Sequence, residues 1–256
     1  MKKYTLILLR GLAREGRHWG EWVDVLRERP YAANVIFLDV PGTGNRLDVK
    51  VPWQLGAYVA DLRSQLNAMT TSGMPSVLVG LSMGGMMAFD WFSRYPEEIH
   101  GCCLLNSSMA TLAPFFWRLK VENYPKLVSA FASSGVEYRE KMILSAVSNL
   151  YGTDPLQLAN WVQIQEQAPV SRLSALQQLV AAACYRPVDE LTADAAARLA
   201  VLCSRGDRLV DYRSSEAISR RYGCYLAMHE TAGHDLPMDA PSWVLGELDR
   251  FVARLS

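Results

Sequence analysis

The stretch Ser76-Val77-Leu78-Val79-Gly80-Leu81-Ser82-Met83-Gly84-Gly85-Met86-Met87-Ala88-Phe89 decides the reading of this chain. Its centre, Gly80-Leu81-Ser82-Met83-Gly84, fits G-x-S-x-G, with an apolar strand-like run before it (76–79) and an amphipathic helical run after it (85–95). A serine between a strand and a helix sits on a sharp turn that lifts its hydroxyl above the sheet edge. Glycines two before and two after let the chain pass closely, and the N–H of the next residue, Met83, can face a developing oxyanion. The expectation is a nucleophile at Ser82.

A serine hydroxyl is a weak nucleophile and needs a base, itself oriented by a third group. The chain offers four histidines. His234, in Thr231-Ala232-Gly233-His234-Asp235-Leu236-Pro237, follows a late strand-like run (225–228) and precedes a helical one (241–255). That is where a serine on a mixed strand and helix scaffold would find its base. His229, at the end of the same strand, is its rival. His18 reads as structural in an early loop, and His100 as a solvent-facing residue after a helix. For the acid, Asp207 follows the short buried run 201–204, with Asp211 four residues on as the alternative. After the run 102–105 the sequence reads Asn106-Ser107-Ser108, with no carboxylate.

At 256 residues, 50% hydrophobic and 20% charged, the chain supports one sizeable core plus an insertion. Lys plus Arg and Asp plus Glu both total 26, so no concentrated basic face points to nucleic acid. The start, Met1-Lys2-Lys3 followed by an apolar run, resembles a secretory leader but is too short and has no small-residue cleavage site. It reads as the first core strand. No stretch approaches the roughly 20 apolar residues of a membrane span, and a cytoplasmic location is expected. Five cysteines, Cys102, Cys103, Cys184, Cys203 and Cys224, read as buried free thiols; adjacent Cys102 and Cys103 should point to opposite faces of a strand. No His or Cys pair has metal-ligand spacing, so neither a metal nor a cofactor is expected.

Strand-like runs recur at 4–9, 35–39, 76–79, 102–105, 201–204 and 225–229, separated by helical patterns, notably 54–69, 85–95 and 211–221. This alternation predicts an α/β fold, a mostly parallel central sheet flanked by helices. Between 110 and 197 it stops, and the sequence turns helical at 114–133, 136–150, 155–167 and 171–184. The expected organisation is a core of 1–111 and 198–256 with a helical cap, 112–197, inserted above the Ser82 edge. Gly42 and Gly44 follow a strand, but no third glycine opens a helix, so they are not a dinucleotide fingerprint.

Residues 6–12 with Trp19, the Phe37-Leu38-Asp39-Val40-Pro41-Gly42-Thr43-Gly44 turn, Gly80 to Gly85, Gly206-Asp207 and Gly233-His234 together resemble the α/β-hydrolase superfamily over essentially the whole chain. The order Ser82, Asp207, His234 is the one that superfamily uses. Within it the chain is similar to small capped carboxylesterases, including the group that cleaves the methyl ester of pimeloyl-carrier protein.

The resemblance implies a serine hydrolase of a small-molecule ester, with Ser82, Asp207 and His234 as triad and the N–H groups of Leu12 and Met83 as oxyanion hole. Family members commonly carry His-Gly after the first strand; here Arg10-Gly11-Leu12 stands instead. Arg10 is expected to tie down that loop, meet an acidic substrate group, or pair with a carboxylate such as Glu15. Gly11, Trp19, Phe115, Phe116 and Trp161 are the candidate pocket residues, although cap aromatics also serve packing. Basic residues in the first two cap helices would suit an acidic acyl-carrier protein, while basic and acidic residues nearly cancel over the whole cap. The same motif recurs in thioesterases and carbon–carbon hydrolases, and a ligand-binding protein on the same scaffold is the alternative of a different class. Halide release and epoxide opening are disfavoured, because those enzymes use aspartate at the Ser82 position.

Overall fold

The computed structural model describes residues 2–69 and 73–255. Met1, residues 70–72 and Ser256, which fall inside the expected core segments, lie outside the described residues. In chain order the elements are β1 (Tyr4–Leu9), α1 (Trp22–Arg27), β2 (Ala32–Phe37), α2 (Leu55–Ala68), β3 (Ser76–Leu81), α3 (Met83–Arg94) and β4 (Ile99–Leu105). Six helices follow: α4 (Phe115–Arg118), α5 (Tyr124–Ala132), α6 (Val136–Val147), α7 (Pro155–Gln167), α8 (Arg172–Cys184) and α9 (Ala193–Ala197). The chain then returns as β5 (Leu199–Ser204), α10 (Arg213–Tyr222), β6 (Tyr225–His229), α11 (Leu236–Asp239) and α12 (Pro241–Arg254).

The strands form one sheet in the order β2-β1-β3-β4-β5-β6, every neighbouring pair parallel. Parallel pairing requires crossovers, and these put helices on both faces, so each strand is buried twice. Side-chain alternation separates two cores. Ile7, Leu9, Leu78, Cys102, Leu104 and Val201 face α2, α3 and α10. Tyr4, Leu6, Leu8, Val77, Val79, Cys103 and Leu202 face α1 and α12. Cys102 and Cys103 therefore lie in opposite layers, as a period of two requires. Phe89, Trp91 and Phe92 of α3 are fully buried; full burial of one such side chain contributes about 1.5–3 kcal/mol.

After β1 the chain moves to β2 on one side and then to β3 on the other, so the strand order reverses between β1 and β3. Outside the carboxyl ends of strands at such a point lies the crevice that open α/β sheets use for ligands. Ser82 follows β3 and Gly11 follows β1, so both border that crevice.

Several local expectations are corrected. The helix expected over 114–133 is broken: Leu119 is extended, Lys120 N–H donates to Leu209 O at 2.9 Å, and Pro125 restarts the chain in the first turn of α5. The run expected at 35–39 pairs instead over Ala32–Phe37, because Asp39 turns off the ladder and accepts from Gly16 N–H at 2.8 Å. His100 is half-buried inside β4, 3.1 Å from Leu255 O, rather than solvent-facing after a helix. Cys184 is exposed at the end of α8 and Cys224 half-buried, so burial does not account for all five thiols. Among the described residues no helix is long and apolar enough to cross a membrane.

Candidate active site

Ser82 joins β3 to α3 with φ 57° and ψ −118°, a conformation a non-glycine residue holds only when its surroundings impose it. The glycines of the motif explain how. A Cβ on Gly80 would come within 2.3 Å of Gly84 O, and one on Gly84 within 2.1 Å of Leu9 O, so neither position accepts a side chain. Ser82 N–H donates to Leu105 O at 2.9 Å, and Ser82 O accepts from Gly85 N–H at 3.0 Å and from Ser107 Oγ at 2.9 Å. The turn is thus pinned by its backbone and leaves the side chain free of structural duty.

Asp207 is 1% exposed in the loop after β5. Its Oδ1 accepts from Leu209 N–H at 2.7 Å and Val210 N–H at 2.9 Å, which points Oδ2 at His234 Nδ1, 2.7 Å away. An ionised carboxylate only accepts, so Nδ1 carries the proton and Nε2 is left as the basic nitrogen. The histidine loop is fixed in turn: Asn106 Nδ2 donates to His234 O at 2.8 Å while its Oδ1 accepts from Ser204 N–H at 2.9 Å. Since Leu105 O holds Ser82 N–H, the Leu105-Asn106-Ser107 corner ties the serine turn to the histidine loop.

The rivals are engaged elsewhere. His229 Nδ1 accepts from Thr231 and Ala232 N–H at 3.2 and 3.0 Å, and its ring meets Trp243 edge-on. Asp211 accepts from the backbone and guanidinium of Arg213 at 2.7–3.0 Å, which also holds its carboxyl below the usual carboxylate range. Neither touches His234.

Met83 opens α3, so its N–H is one that a helix leaves without an intrahelical acceptor. Across the crevice, a Cβ on Gly11 would lie 3.3 Å from Ser82 Cβ, and Leu12 N–H has no acceptor within the protein among the described residues. Arg10 does not pair with Glu15, which is taken by Arg17 at 2.5 Å. It reaches instead across 225 positions to Asp235, with Nη1 and Nη2 at 3.3 and 2.5 Å from the two carboxylate oxygens. The pair is buried and its guanidinium stacks on Trp19, 4.8 Å from the ring centre. One bidentate link therefore joins the Gly11 loop to the residue beside His234.

The five expected pocket residues differ in exposure. Trp19 is 3% exposed, stacked on Trp22 in the core under β1, and Trp161 is 1% exposed, packed with Leu144, Val147 and Ile164. Phe115 and Phe116 lie open on α4, and Gly11 is brought against Ser82.

Beside Trp161, Arg14 Nη1 donates to Glu140 Oε2 at 2.7 Å in a fully buried ion pair, and breaking such a pair costs about 3–5 kcal/mol. His18 packs edge-on against Trp161 and is held well below its ordinary pKa, first by burial and then by the charges of Arg14 and Arg10. The folded chain thus favours neutral His18, and the unfolded chain binds more protons between the folded value and 6.5. Stability from this group is complete above pH 6.5 and is lost as pH falls below it. Thermal midpoints recorded between about pH 5 and 7.5 should fall less steeply toward acid in His18→Phe than in the parent; equal slopes would show that His18 does not contribute.

The sheet, the serine turn and the buried carboxylate–imidazole pair define a hydrolase scaffold. The chain belongs to the alpha/beta hydrolase family, whose match spans residues 6–247. It is 26% identical over 259 residues to the pimeloyl-[acyl-carrier protein] methyl ester esterase of Aeromonas hydrophila subsp. hydrophila, covering 96% of this chain and 94% of that one. In fold it is similar to the esterase RhEst1 from Rhodococcus sp. ECU1013, with TM-score 0.73, 18% identity and 99% and 92% of the two chains covered. It is equally similar to the 2-hydroxy-6-oxo-6-phenylhexa-2,4-dienoate hydrolase from Rhodococcus sp. strain RHA1, with TM-score 0.73, 18% identity and coverage of 98% and 91%.

Asn106, Gln178 and Asp235 are the residues around the site that sequence reading missed. Their sequence signal was slight: Asn106 stood at a strand end among the places considered for an acid, and Asp235 stood next to His234.

Proposed function

We propose that this chain is a serine hydrolase of carboxylic esters. The observation that carries the reading is the 2.7 Å His234 Nδ1–Asp207 Oδ2 contact, buried at the sheet edge that also bears Ser82. His234 Nε2 takes the Ser82 proton as Oγ attacks the acyl carbon. The N–H groups of Leu12 and Met83 receive the negative charge on the carbonyl oxygen, and His234 returns the proton to the departing alcohol. Water activated by His234 then attacks the acyl-enzyme, and collapse of the second tetrahedral species frees Ser82 and the acid. Asp207 keeps the imidazole in its working tautomer and stabilises the imidazolium in each half-reaction. Residues 112–197 serve as the cap, meeting the loops after β1, β5 and β6 and deciding which acyl groups enter.

The relative from Aeromonas is named for a carrier-linked methyl ester, which makes a methyl ester on an acyl-carrier protein the natural substrate to test beside simple esters. The test combines a p-nitrophenyl ester panel of graded acyl length with a fluorophosphonate probe and peptide mass mapping. Chain-length-dependent turnover and one adduct, on Ser82, are expected. An adduct without turnover of any ester would move the reading to a thioester or carbon–carbon substrate, and labelling at another serine would refute Ser82 as the nucleophile.

A further inference from the structure

Resting on the reading of Leu12 as an oxyanion donor, we propose that Gln178 is a positioning residue that holds the oxyanion loop in its working conformation, making helix α8 a functional part of the oxyanion hole. The starting observation is Ala13, which follows Leu12 and has φ 56°. A Cβ in that left-handed region crowds the following carbonyl, so the conformation persists only under restraint. Among the described residues two other non-glycine residues share it, Ser82 and Asn106, and the bonds that restrain both lie inside the sheet-end loops.

Arg14 N–H closes the turn around Leu12 and Ala13 on Gly11 O at 3.2 Å, and two further restraints on Ala13 come from the inserted helices. Ala13 N–H donates to Gln178 Oε1 of α8 at 2.7 Å, and Ala13 O accepts from Gln165 Nε2 of α7 at 3.4 Å. The shorter bond fixes the Leu12–Ala13 peptide, immediately next to the peptide that carries Leu12 N–H. Gln178 is fully buried, and its Nε2 has no partner within the protein among the described residues. Packing alone would be better served by an apolar side chain of that size, because an unpaired buried donor is destabilising. The acceptor Oε1 is what the position uses. Arg14–Glu140 anchors the same loop independently, so loss of Gln178 frees Ala13 N–H without detaching the segment.

The experiment compares the parent, Gln178→Met, Ala13→Gly/Gln178→Met and Ser82→Ala. It reads kcat and KM on a p-nitrophenyl ester and the Ki of a trifluoromethyl ketone, whose hemiketal with Ser82 carries an oxyanion. Gln178→Met matches the volume and removes the acceptor; kcat should fall about 10- to 100-fold with KM within about threefold, and Ki should rise in step with the loss in kcat/KM. Adding Ala13→Gly should return several-fold of kcat, since glycine reaches positive φ without steric cost. A folded Gln178→Met with kcat and Ki within about twofold of the parent, or a loss that Ala13→Gly leaves untouched, overturns the proposal. Should Gln178→Met not fold, Gln178→Ala, too short to reach Ala13, carries the same comparison. Ser82→Ala keeps the two levels apart: turnover at the parent rate overturns the Ser82 mechanism and this proposal with it, whereas Ser82-dependent turnover indifferent to Gln178 overturns this proposal alone.

Discussion

Ser82→Ala should lower kcat by about 10⁴- to 10⁶-fold while the protein still folds. Every bond that fixes the turn is a backbone bond of residue 82, to Leu105 O, Gly85 N–H, Met86 N–H and Ser107 Oγ, so removal of Oγ breaks none of them. Alanine pays nearly the same penalty as serine for φ 57°. The thermal midpoint should therefore move by no more than about 1–2 °C, the shift expected of a surface-like substitution in a domain of this size. What survives is the catalysis that water obtains from the oxyanion donors and substrate binding, of order 10³- to 10⁴-fold over solution. Turnover of the variant at the parent rate, measured on protein with a matching unfolding curve, would remove Ser82 from the mechanism.

Asp207→Asn should cost about 10⁴-fold at neutral pH with little loss of stability, and the reason lies in how the carboxylate is held. Oδ1 accepts the Leu209 and Val210 N–H groups, and an asparagine carbonyl can keep both. Its amide nitrogen then faces His234 Nδ1 where Oδ2 stood, and it donates rather than accepts. The imidazole must turn its lone pair to Nδ1 and carry its proton on Nε2, the nitrogen that has to take the serine proton. Asp207→Ala would fail differently: it leaves the buried Val210 N–H unpaired, at about 1–3 kcal/mol, and the part-buried Leu209 N–H at less, and so adds instability to the catalytic loss. Comparing kcat and thermal midpoints across the two variants separates tautomer from structure. Full activity in Asp207→Asn with loss in Asp211→Asn would transfer the acid to Asp211.

The sheet and the gross position of Ser82, Asp207 and His234 were legible because each depends on short-range pattern. Apolar runs of strand length, glycines at fixed offsets, and polar residues just past strand ends are local properties of the chain. What escaped is long-range polar pairing. Ala13 and Gln178 lie 165 positions apart, and Arg10 and Asp235 lie 225 apart; nothing in periodicity joins them. Arg10 illustrates the limit: a neighbouring carboxylate, Glu15, was the readable partner, but Arg17 takes it and the fold brings Asp235 instead. Trp161 shows the other limit, since an aromatic residue on an amphipathic helix has the same signature whether it walls a cavity or fills a core. Among the groups that cover it is Arg14, whose guanidinium sits 4.5 Å over its ring from a loop near the start of the chain.

The end of α6 is stitched to both loops that hold Asp207 and His234. Asn149 Nδ2 donates to Gly206 O and Thr231 O, Arg208 Nη2 donates to Ser145 O and Ser148 O, Asp235 N–H donates to Val147 O, and Asp239 accepts from Ser148, Asn149 and Gly233. For anyone building chimaeras, this sets where a graft may be cut. On the proposed reading of 112–197 as a lid, a foreign segment spliced in at 112 and 197 would arrive without the residue 145–149 half of this joint and would loosen Asp207 and His234 from behind. The modular unit for exchange is thus residues 112–197 together with the matching 206–208 and 231–239 loops, so that, on the proposed function, substrate range and catalytic geometry would be inherited together.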